Sequence, residues 1–167
     1  ASKSRDLPDK FLEIIAENND RNRKIATKLI EISKQEKKMK RTLYFGTNRY
    51  QAQLICAIMI LSKINAAYLD GNTPHGYRND CIRKFKDGEI DMICNCDLFT
   101  TGFDDPKIEV IMIGRPTKSI VLHQQMIGRG MRGPKMGGTK EFDLYRINDD
   151  LPSIALADNM ISDFWLI

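Results

Sequence analysis

Residues 42–71 read TLYFGTNRYQAQLICAIMILSKINAAYLDG, and this stretch decides the fold. Thr42–Gly46 is a short apolar run that ends in glycine, which predicts a buried strand. Residues 49–64 are predicted to form a helix, because apolar side chains recur on one face at Leu54, Ile58 and Leu61. Ala66–Leu69 is a second apolar run. The stretch therefore predicts a strand, a helix and another strand in succession.

The same alternation continues along the chain. A helix is predicted from Thr73-Pro74 to Asp87-Gly88, and another from Ser119 to about Gly128. Three further apolar runs predict strands at Asp91–Asn95, Val110–Ile113 and Phe142–Tyr145. Upstream, residues 8–38 predict two helices that are separated near Asn18, the second one capped by Asp20.

Nearly continuously apolar strands that alternate with helices are typical of a mostly parallel sheet flanked by helices on both faces. The predicted fold class is therefore α/β, with a helical extension at the N-terminus. Ligands of such sheets bind in the loops at the carboxyl ends of the strands. The loops with the most unusual sequences follow the predicted strands: Gly46–Arg49, Asp70–Thr73, Asp97–Pro106 and Arg115–Thr117.

The chain is expected to have three parts. Residues 1–41 form a helical N-terminal extension or interdomain connector, and residues 42–150 form the α/β domain. Residues 151–167 form a helical segment that ends on Phe164-Trp-Leu-Ile167, which suggests a chain cut from something longer.

Composition indicates a globular protein of the reducing cytosol. The chain has 167 residues, of which 42% are hydrophobic and 29% charged. No apolar run is long enough to span a membrane, and the first residues lack a secretory signal, so a cytoplasmic or nucleoid-associated location without membrane is expected. The spacing of the four cysteines fits buried thiols better than disulfides or a metal site, and no metal site is predicted.

Charge is distributed unevenly along the chain. Residues 1–41 contain 12 Lys/Arg and 7 Asp/Glu, whereas the net charge of the whole chain is only +4. A basic segment of this kind can meet phosphates, although a solvated helix end is the more common explanation. Charge alone therefore gives only weak support for the binding of nucleic acid.

The segment from Gln125 to Arg132 reads Gln-Met-Ile-Gly-Arg-Gly-Met-Arg and carries the clearest chemistry. On a helix, Gln125, Arg129 and Arg132 share one face, and the neighbouring glycines leave room for a ligand beside Arg129. Two guanidinium groups on one face are suited to phosphate oxygens. The segment resembles QxxGRxxR, the last signature motif of superfamily 2 helicases. The resemblance implies that Arg129 and Arg132 are fingers on ATP and that Gln125 is a polar contact nearby.

The stretch Asp97-Leu-Phe-Thr-Thr-Gly-Phe-Asp-Asp-Pro106 resembles the preceding motif of the same family. By that resemblance, Gly102 provides a tight turn and Asp104 accepts hydrogen bonds from the ribose of ATP. Thr100 and Thr101 lie where the family contacts nucleic-acid phosphate. At position 101 close relatives often have Glu.

Two further segments resemble family motifs in the expected order. Leu43–Arg49 resembles the motif that opens the domain, and it places Thr47 and Arg49 as nucleic-acid contacts. In the segment Gly71–Arg78, a glycine after a strand precedes a helix that bears an arginine. Gly71 and Arg78 are there associated with the nucleic-acid backbone or with holding the nearby loop. For Arg78, a surface salt bridge remains an equal alternative.

The resemblance covers residues 42–146 and implies a RecA-like P-loop NTPase fold, as the second domain of a helicase or translocase. The sequences of these motifs resemble most the branch that contains type I restriction motors and excision-repair helicases. The chain lacks a GxxxxGK[ST] loop and a Walker B strand. ATP and Mg²⁺ are therefore expected to be held mainly by an N-terminal RecA-like domain of the same polypeptide. The 167 residues alone are expected to bind no cofactor and to be inactive. The expected polymer is nucleic acid, with DNA favoured over RNA.

Two alternatives come from other classes of protein. A non-catalytic nucleic-acid-binding module would use the basic N-terminal segment, and salt-sensitive binding by residues 1–41 alone would favour it. An ordinary doubly wound nucleotide-binding domain would need GxGxxG after its first strand, but Gly46-Thr-Asn-Arg49 stands there.

Overall fold

The computed structural model describes residues 9–35, 39–96, 108–116 and 143–147. These residues form four helices and five strands. The bounds are α1 Asp9–Ala16, α2 Asn19–Lys34, β1 Thr42–Phe45, α3 Arg49–Leu61, β2 Ala66–Tyr68, α4 His75–Lys86, β3 Met92–Asn95, β4 Val110–Ile113 and β5 Asp143–Arg146. Within these ranges no helix combines the length and the apolar character that a membrane crossing requires.

The strands form one sheet in the order β2-β3-β1-β4-β5, and every neighbouring pair is parallel. The register is direct, since Phe45 at the end of β1 lies between Asn95 of β3 and Ile113 of β4. The carboxyl ends of the strands therefore meet at one edge of the sheet. The prediction of a mostly parallel α/β sheet is confirmed.

Side chains alternate between the two faces of the central strands, and each face has its own core. The first core joins Tyr44 and Cys94 to apolar side chains of α2 and α3. The second core joins Leu43 and Phe45 to Cys81 and Phe85 of α4. Helices thus cover both faces of the sheet. Strand β5 lies at its edge and is mostly exposed.

Helix α2 belongs to this domain and not to a detached extension. Its residues Ile25, Leu29 and Ile32 are buried in the first core, at the spacing of one helical face. Burial of each such side chain contributes about 1.5–3 kcal/mol. In the described part of the chain, a boundary at residue 41 does not separate two packing units.

Several predicted ends of helices and strands are wrong by one to three residues. Asn18 caps α2 in place of Asp20, because its side chain accepts a hydrogen bond from the amide of Arg21 at 3.0 Å. Helix α3 ends at Leu61 and not at residue 64, since the chain turns with a positive φ of 65° at Lys63. Strand β5 covers Asp143–Arg146, one residue later than predicted.

The start of α4 also differs from the prediction. Pro74 takes the position before the helix and provides no side-chain cap, while the hydroxyl of Thr73 bonds within the preceding loop.

The four cysteines all lie in the described part, where they are buried and form no disulfide.

Glycine is required at residue 46, where β1 runs into α3. A Cβ atom at Gly46 would lie 2.5 Å from Cβ of Ala52 and 2.9 Å from its backbone nitrogen. We expect Gly46→Ala to lower the free energy of unfolding by about 1–3 kcal/mol, because backbone atoms must move to relieve the overlap. Urea denaturation measures the change.

Gly76→Ala in α4 is the matched control. A Cβ atom there meets nothing within 4 Å, and alanine is favoured over glycine in a helix by up to about 1 kcal/mol. The control is expected to leave stability unchanged or slightly raised. Equal effects of the two substitutions would contradict the close approach at Gly46.

Candidate functional site

The carboxyl edge of the sheet carries three described loops. Residues 46–48 follow β1, residues 69–74 follow β2, and residues 114–116 follow β4. Parallel sheets of this kind bind ligands at this edge. These loops contain four of the predicted nucleic-acid residues or lead directly into them: Thr47, Arg49, Gly71 and Arg78.

Asp70 organises the loop after β2. Its carboxylate accepts a hydrogen bond from the hydroxyl of Tyr68 at 2.8 Å and another from the amide of Asn72 at 2.7 Å. The amide of Asp70 donates to the hydroxyl of Thr73 at 2.8 Å. Asp70 is only 8% exposed. The loop that contains Gly71 is therefore held from inside by one buried carboxylate.

Two of the predicted nucleic-acid residues converge on Asp70. Nε of Arg49 lies 3.9 Å from Oδ2 of Asp70, although the two residues are 21 positions apart in the sequence. Nη1 of Arg78 donates to the backbone carbonyl of Asp70 at 3.4 Å. For Arg78, this contact corresponds to holding the nearby loop. The tertiary fold thus brings Arg49, Gly71 and Arg78 to one place.

The charged form of Asp70 is favoured by its partners. Burial raises the pKa of its carboxyl, but the hydrogen bonds from Tyr68 and Asn72 and the charge of Arg49 outweigh burial. The pKa therefore lies below its ordinary value of 3.8. The same pairing, together with burial, raises the pKa of Tyr68 strongly, so this hydroxyl keeps its proton and remains a donor.

The surface around this loop is suited to an anion. Arg49 is half exposed, its neighbour Tyr50 is exposed, and Gly71, His75 and Tyr77 are exposed in the loop after β2 and at the start of α4. Helix α4 begins here without a side-chain cap, so the positive end of its dipole lies beside this loop. Backbone amides and guanidinium groups together match phosphate oxygens.

Thr47 does not lie on this surface. It is fully buried, and its hydroxyl donates to the carbonyl of Gly114 at 3.1 Å and accepts from Nη1 of Arg21 at 2.8 Å. Thr47 was predicted to contact nucleic acid; in the structure its hydroxyl is engaged within the fold, and the contact stays a prediction. Thr47 joins the ends of β1 and β4.

The buried partners of Thr47 were missed by sequence reasoning. Arg21, Asn22 and Gln51 are all buried and polar, and none was singled out. A signal was available, because Arg21 precedes Ile25 and Leu29 at steps of four residues and so shares their apolar face. A charged residue on the buried face of a helix needs a partner in the fold.

The other predicted site residues lie outside the described residues: Thr100, Thr101, Gly102, Asp104, Gln125, Arg129 and Arg132. Their roles stay predictions. Among the residues that are described, no group of three or more His, Cys, Asp or Glu side chains is arranged to hold a metal ion.

Asp70→Asn tests the charged loop centre. We expect it to lower the free energy of unfolding by about 1–3 kcal/mol near neutral pH, because hydrogen bonds to a charged acceptor are weakened. A carboxyl whose pKa is lowered by folding stabilises the fold above its ordinary value of 3.8, and this contribution is lost as pH falls through the folded pKa. The difference between the two proteins should therefore shrink below about pH 4.

Urea denaturation across a pH series measures this difference. Asp87→Asn is the control, since Asp87 is exposed and pairs only at the surface with Arg83 at 3.5 Å. A difference for Asp70→Asn that stays constant down to acid pH would contradict the charged loop centre.

Comparison with known proteins identifies the family to which this chain belongs. The family described as "Helicase conserved C-terminal domain" matches residues 22–134, which is most of the chain. The match begins inside α2. The matched range also contains the segments that lie outside the described residues.

Individual relatives agree with this match. The putative ATP-dependent helicase IRC3 of Saccharomyces cerevisiae is 43% identical over 99 residues, which are 59% of this chain and 14% of the relative. UvrABC system protein B of Mycoplasma mobile is 28% identical over 134 residues, covering 75% of this chain and 19% of the relative. ATP-dependent RNA helicase DRS1 of S. cerevisiae is 30% identical over 103 residues, covering 62% and 14%. The chain thus spans less than a fifth of the length of these relatives.

Solved structures share the fold at low identity. A fragment of a putative HsdR subunit of a type I restriction enzyme from Vibrio vulnificus superposes with a TM-score of 0.66 at 18% identity, covering 83% of this chain and 28% of that chain. The Escherichia coli DEAD-box protein SrmB gives 0.62 at 20% identity, covering 77% and 71%. The five-stranded parallel sheet with its flanking helices is thus that of RecA-like helicase domains. The chain belongs to the helicase conserved C-terminal domain family and has the RecA-like fold of such domains.

Proposed function

We propose that this chain is the C-terminal motor domain of an ATP-dependent helicase or translocase that acts on nucleic acid, with DNA favoured over RNA. One observation carries the proposal beyond the family. Arg49 and Arg78 both reach Asp70 and flank Gly71, at the edge where a parallel sheet binds its ligands. Two guanidinium groups and the uncapped start of α4 form a phosphate-binding surface there.

The nucleic-acid grip uses the sugar-phosphate backbone. Arg49 offers a half-exposed guanidinium group, and Gly71 has no side chain to keep a strand away from the loop. Arg78 holds the loop through the carbonyl of Asp70. Thr100 and Thr101 add hydroxyl contacts to phosphate in this proposal. Phosphate contacts make binding strong, salt-dependent and nearly independent of base sequence.

ATP is bound between this domain and an N-terminal RecA-like domain of the same polypeptide. Arg129 and Arg132 stabilise negative charge at the γ-phosphate, while Gln125, Gly102 and Asp104 contact the nucleotide from this side. The N-terminal domain supplies the phosphate loop and the carboxylates that hold Mg²⁺, which would neutralise phosphate charge. The 167 residues alone therefore do not hydrolyse ATP.

Movement follows from alternation between two domains. ATP draws the domains together, and hydrolysis removes the contact between the γ-phosphate and the two arginines, so that the domains reopen. If each domain grips the same strand and their grips alternate, every cycle advances the protein along it. In this chain the grip lies on the loop that Asp70 organises.

The preference for DNA rests on the identity of one residue. Gln125 stands where the DEAD-box branch usually has histidine, and the surrounding wording resembles restriction motors and excision-repair helicases. The named relatives include an ATP-dependent RNA helicase, so the polymer needs a direct measurement. Stimulation of ATP hydrolysis in the full protein by DNA and by RNA of the same sequence makes the comparison.

Substitution of Arg49 and Arg78 tests the grip. In the full protein, each change to alanine should weaken oligonucleotide binding by about 1–3 kcal/mol, and Arg49→Ala should also reduce the salt dependence of binding by about one phosphate contact. Fluorescence anisotropy at several salt concentrations measures both. Arg83→Ala is the control, because this arginine of α4 is engaged by Asp80 and Asp87 at the opposite end of the helix. Equal losses for all three variants would indicate a general charge effect and contradict the site.

Arg129→Ala tests the fingers. In the full protein, the substitution should lower the rate of ATP hydrolysis by about 10³-fold or more, because charge at the γ-phosphate loses its partner. Binding of ATP should be largely kept, since the N-terminal domain holds most of the nucleotide. Steady-state hydrolysis and equilibrium nucleotide binding measure the two quantities. Unchanged turnover would remove Arg129 from the active site.

A further inference from the structure

The guanidinium group of Arg21 fills the space between the carboxyl ends of β1 and β4. Arg21 lies in the first turn of α2 and is 7% exposed. Nη1 donates to the hydroxyl of Thr47 at 2.8 Å, and Nη2 donates to the carbonyl of Gly114. These partners are 26 and 93 residues away in sequence. One side chain of α2 thus ties together two loops at the edge of the proposed site.

A buried guanidinium group is costly unless its donors are satisfied, so its presence here needs a reason. The planar fork holds two acceptors in fixed directions, which a lysine ammonium group cannot do in the same way. The hydroxyl of Thr47 also donates to the carbonyl of Gly114 at 3.1 Å, which closes a ring of three partners. The geometry fixes the distance between the two strand ends.

A second layer of buried amides supports this ring. Gln51 of α3 accepts hydrogen bonds from the hydroxyl of Tyr44 at 2.8 Å and from the amide of Thr47 at 3.1 Å. Its Nε2 donates to Asn22 of α2 at 3.2 Å, and Asn22 donates to the carbonyl of Ala16 at the end of α1 at 2.8 Å. The network therefore runs from α1 and α2 to the loop that precedes Arg49.

The exit of β4 fits the same network closely. A Cβ atom at Gly114 would overlap the hydroxyl of Tyr44, so the backbone of the β4 exit lies directly against the Tyr44 side chain. Arg115 and Pro116 follow at once, and the chain then leads toward the predicted finger segment. A change in the position of Gly114 would therefore affect both the end of β1 and the segment that follows β4.

We propose that Arg21 is a positioning residue that couples the N-terminal helices to the loop between β1 and Arg49 and to the β4 exit. The inference rests on the proposed function, in which α1 and α2 lie on the chain between the two motor domains. Movement of the N-terminal domain then reaches Thr47 and Gly114 through α2. Arg21 thereby makes α2 a working part of the motor and not only a connector.

Arg21→Ala in the full protein tests this role. We expect kcat of nucleic-acid-stimulated ATP hydrolysis to fall by about 10- to 100-fold with KM for ATP unchanged, because the finger side is misplaced while nucleotide binding is kept. The deleted side chain leaves a pocket of its own shape. Ethylguanidinium at millimolar concentration should restore part of kcat, whereas ethylammonium should not, since only the former reproduces the fork.

Two further variants set the scale. Arg23 lies two residues from Arg21 on α2, is exposed and pairs only weakly with Asp20 at 3.9 Å. The kcat of Arg23→Ala should therefore equal that of the unsubstituted protein. Arg21→Lys keeps the charge and the stem but not the fork, and its kcat should be intermediate. If Arg21→Ala does not fold, Arg21→Lys decides the matter. Full activity of Arg21→Lys would overturn the proposal.

Hydrogen exchange separates this inference from the proposed function. Loss of Arg21 should raise amide exchange at residues 46–49 and 113–115 and leave residues 82–86 of α4 unchanged. Unchanged exchange in both loops, or equal restoration of kcat by both cations, would overturn the positioning role. If the unsubstituted protein hydrolyses no ATP with any nucleic acid, the proposed function fails, and the exchange measurement still decides the role of Arg21.

Discussion

The parallel pairing of β1 with a strand on each side is the constraint on which the rest of the structure depends. All four residues of β1 are buried, and they pair in direct register with β3 and β4. Because the strands run the same way, α3 and α4 cross over between consecutive strands, and each covers a face of the sheet. The carboxyl ends are thereby brought together, and the loops with chemical groups meet at one edge.

That edge has two levels. At the surface, Arg49, Gly71 and the start of α4 surround a loop whose shape depends on the buried carboxylate of Asp70. Below it, Arg21 and Thr47 hold the ends of β1 and β4. The upper level offers positive charge to a polyanion, and the lower level keeps the strand ends at a fixed distance. A phosphate-binding surface needs both, since its donors are useful only when they are preorganised.

Prediction from sequence succeeded where one local pattern sufficed. Apolar runs located the buried strands and helix α3. The predicted apolar face of α3 was wrong, because the helix buries Ile55 and Met59 while Leu61 is exposed. Prediction was less exact at the ends, because Asn18, Pro74 and Lys63 settle them through hydrogen bonds and backbone angles. For the site, the fold brings Arg49, Gly71 and Arg78 together around Asp70, and their nucleic-acid roles stay predictions. Thr47, which was also predicted as a nucleic-acid contact, is buried.

The sequence by itself determined the α/β class, the parallel sheet and the helicase family, because apolar periodicity and the order of short motifs are local properties of the chain. Only the tertiary structure decided that Arg49 and Arg78 meet at Asp70 and that Arg21 reaches Gly114 across 93 residues. Such contacts depend on strand order and on which face each helix covers. A buried charge reveals its partner only when the fold has brought the two together.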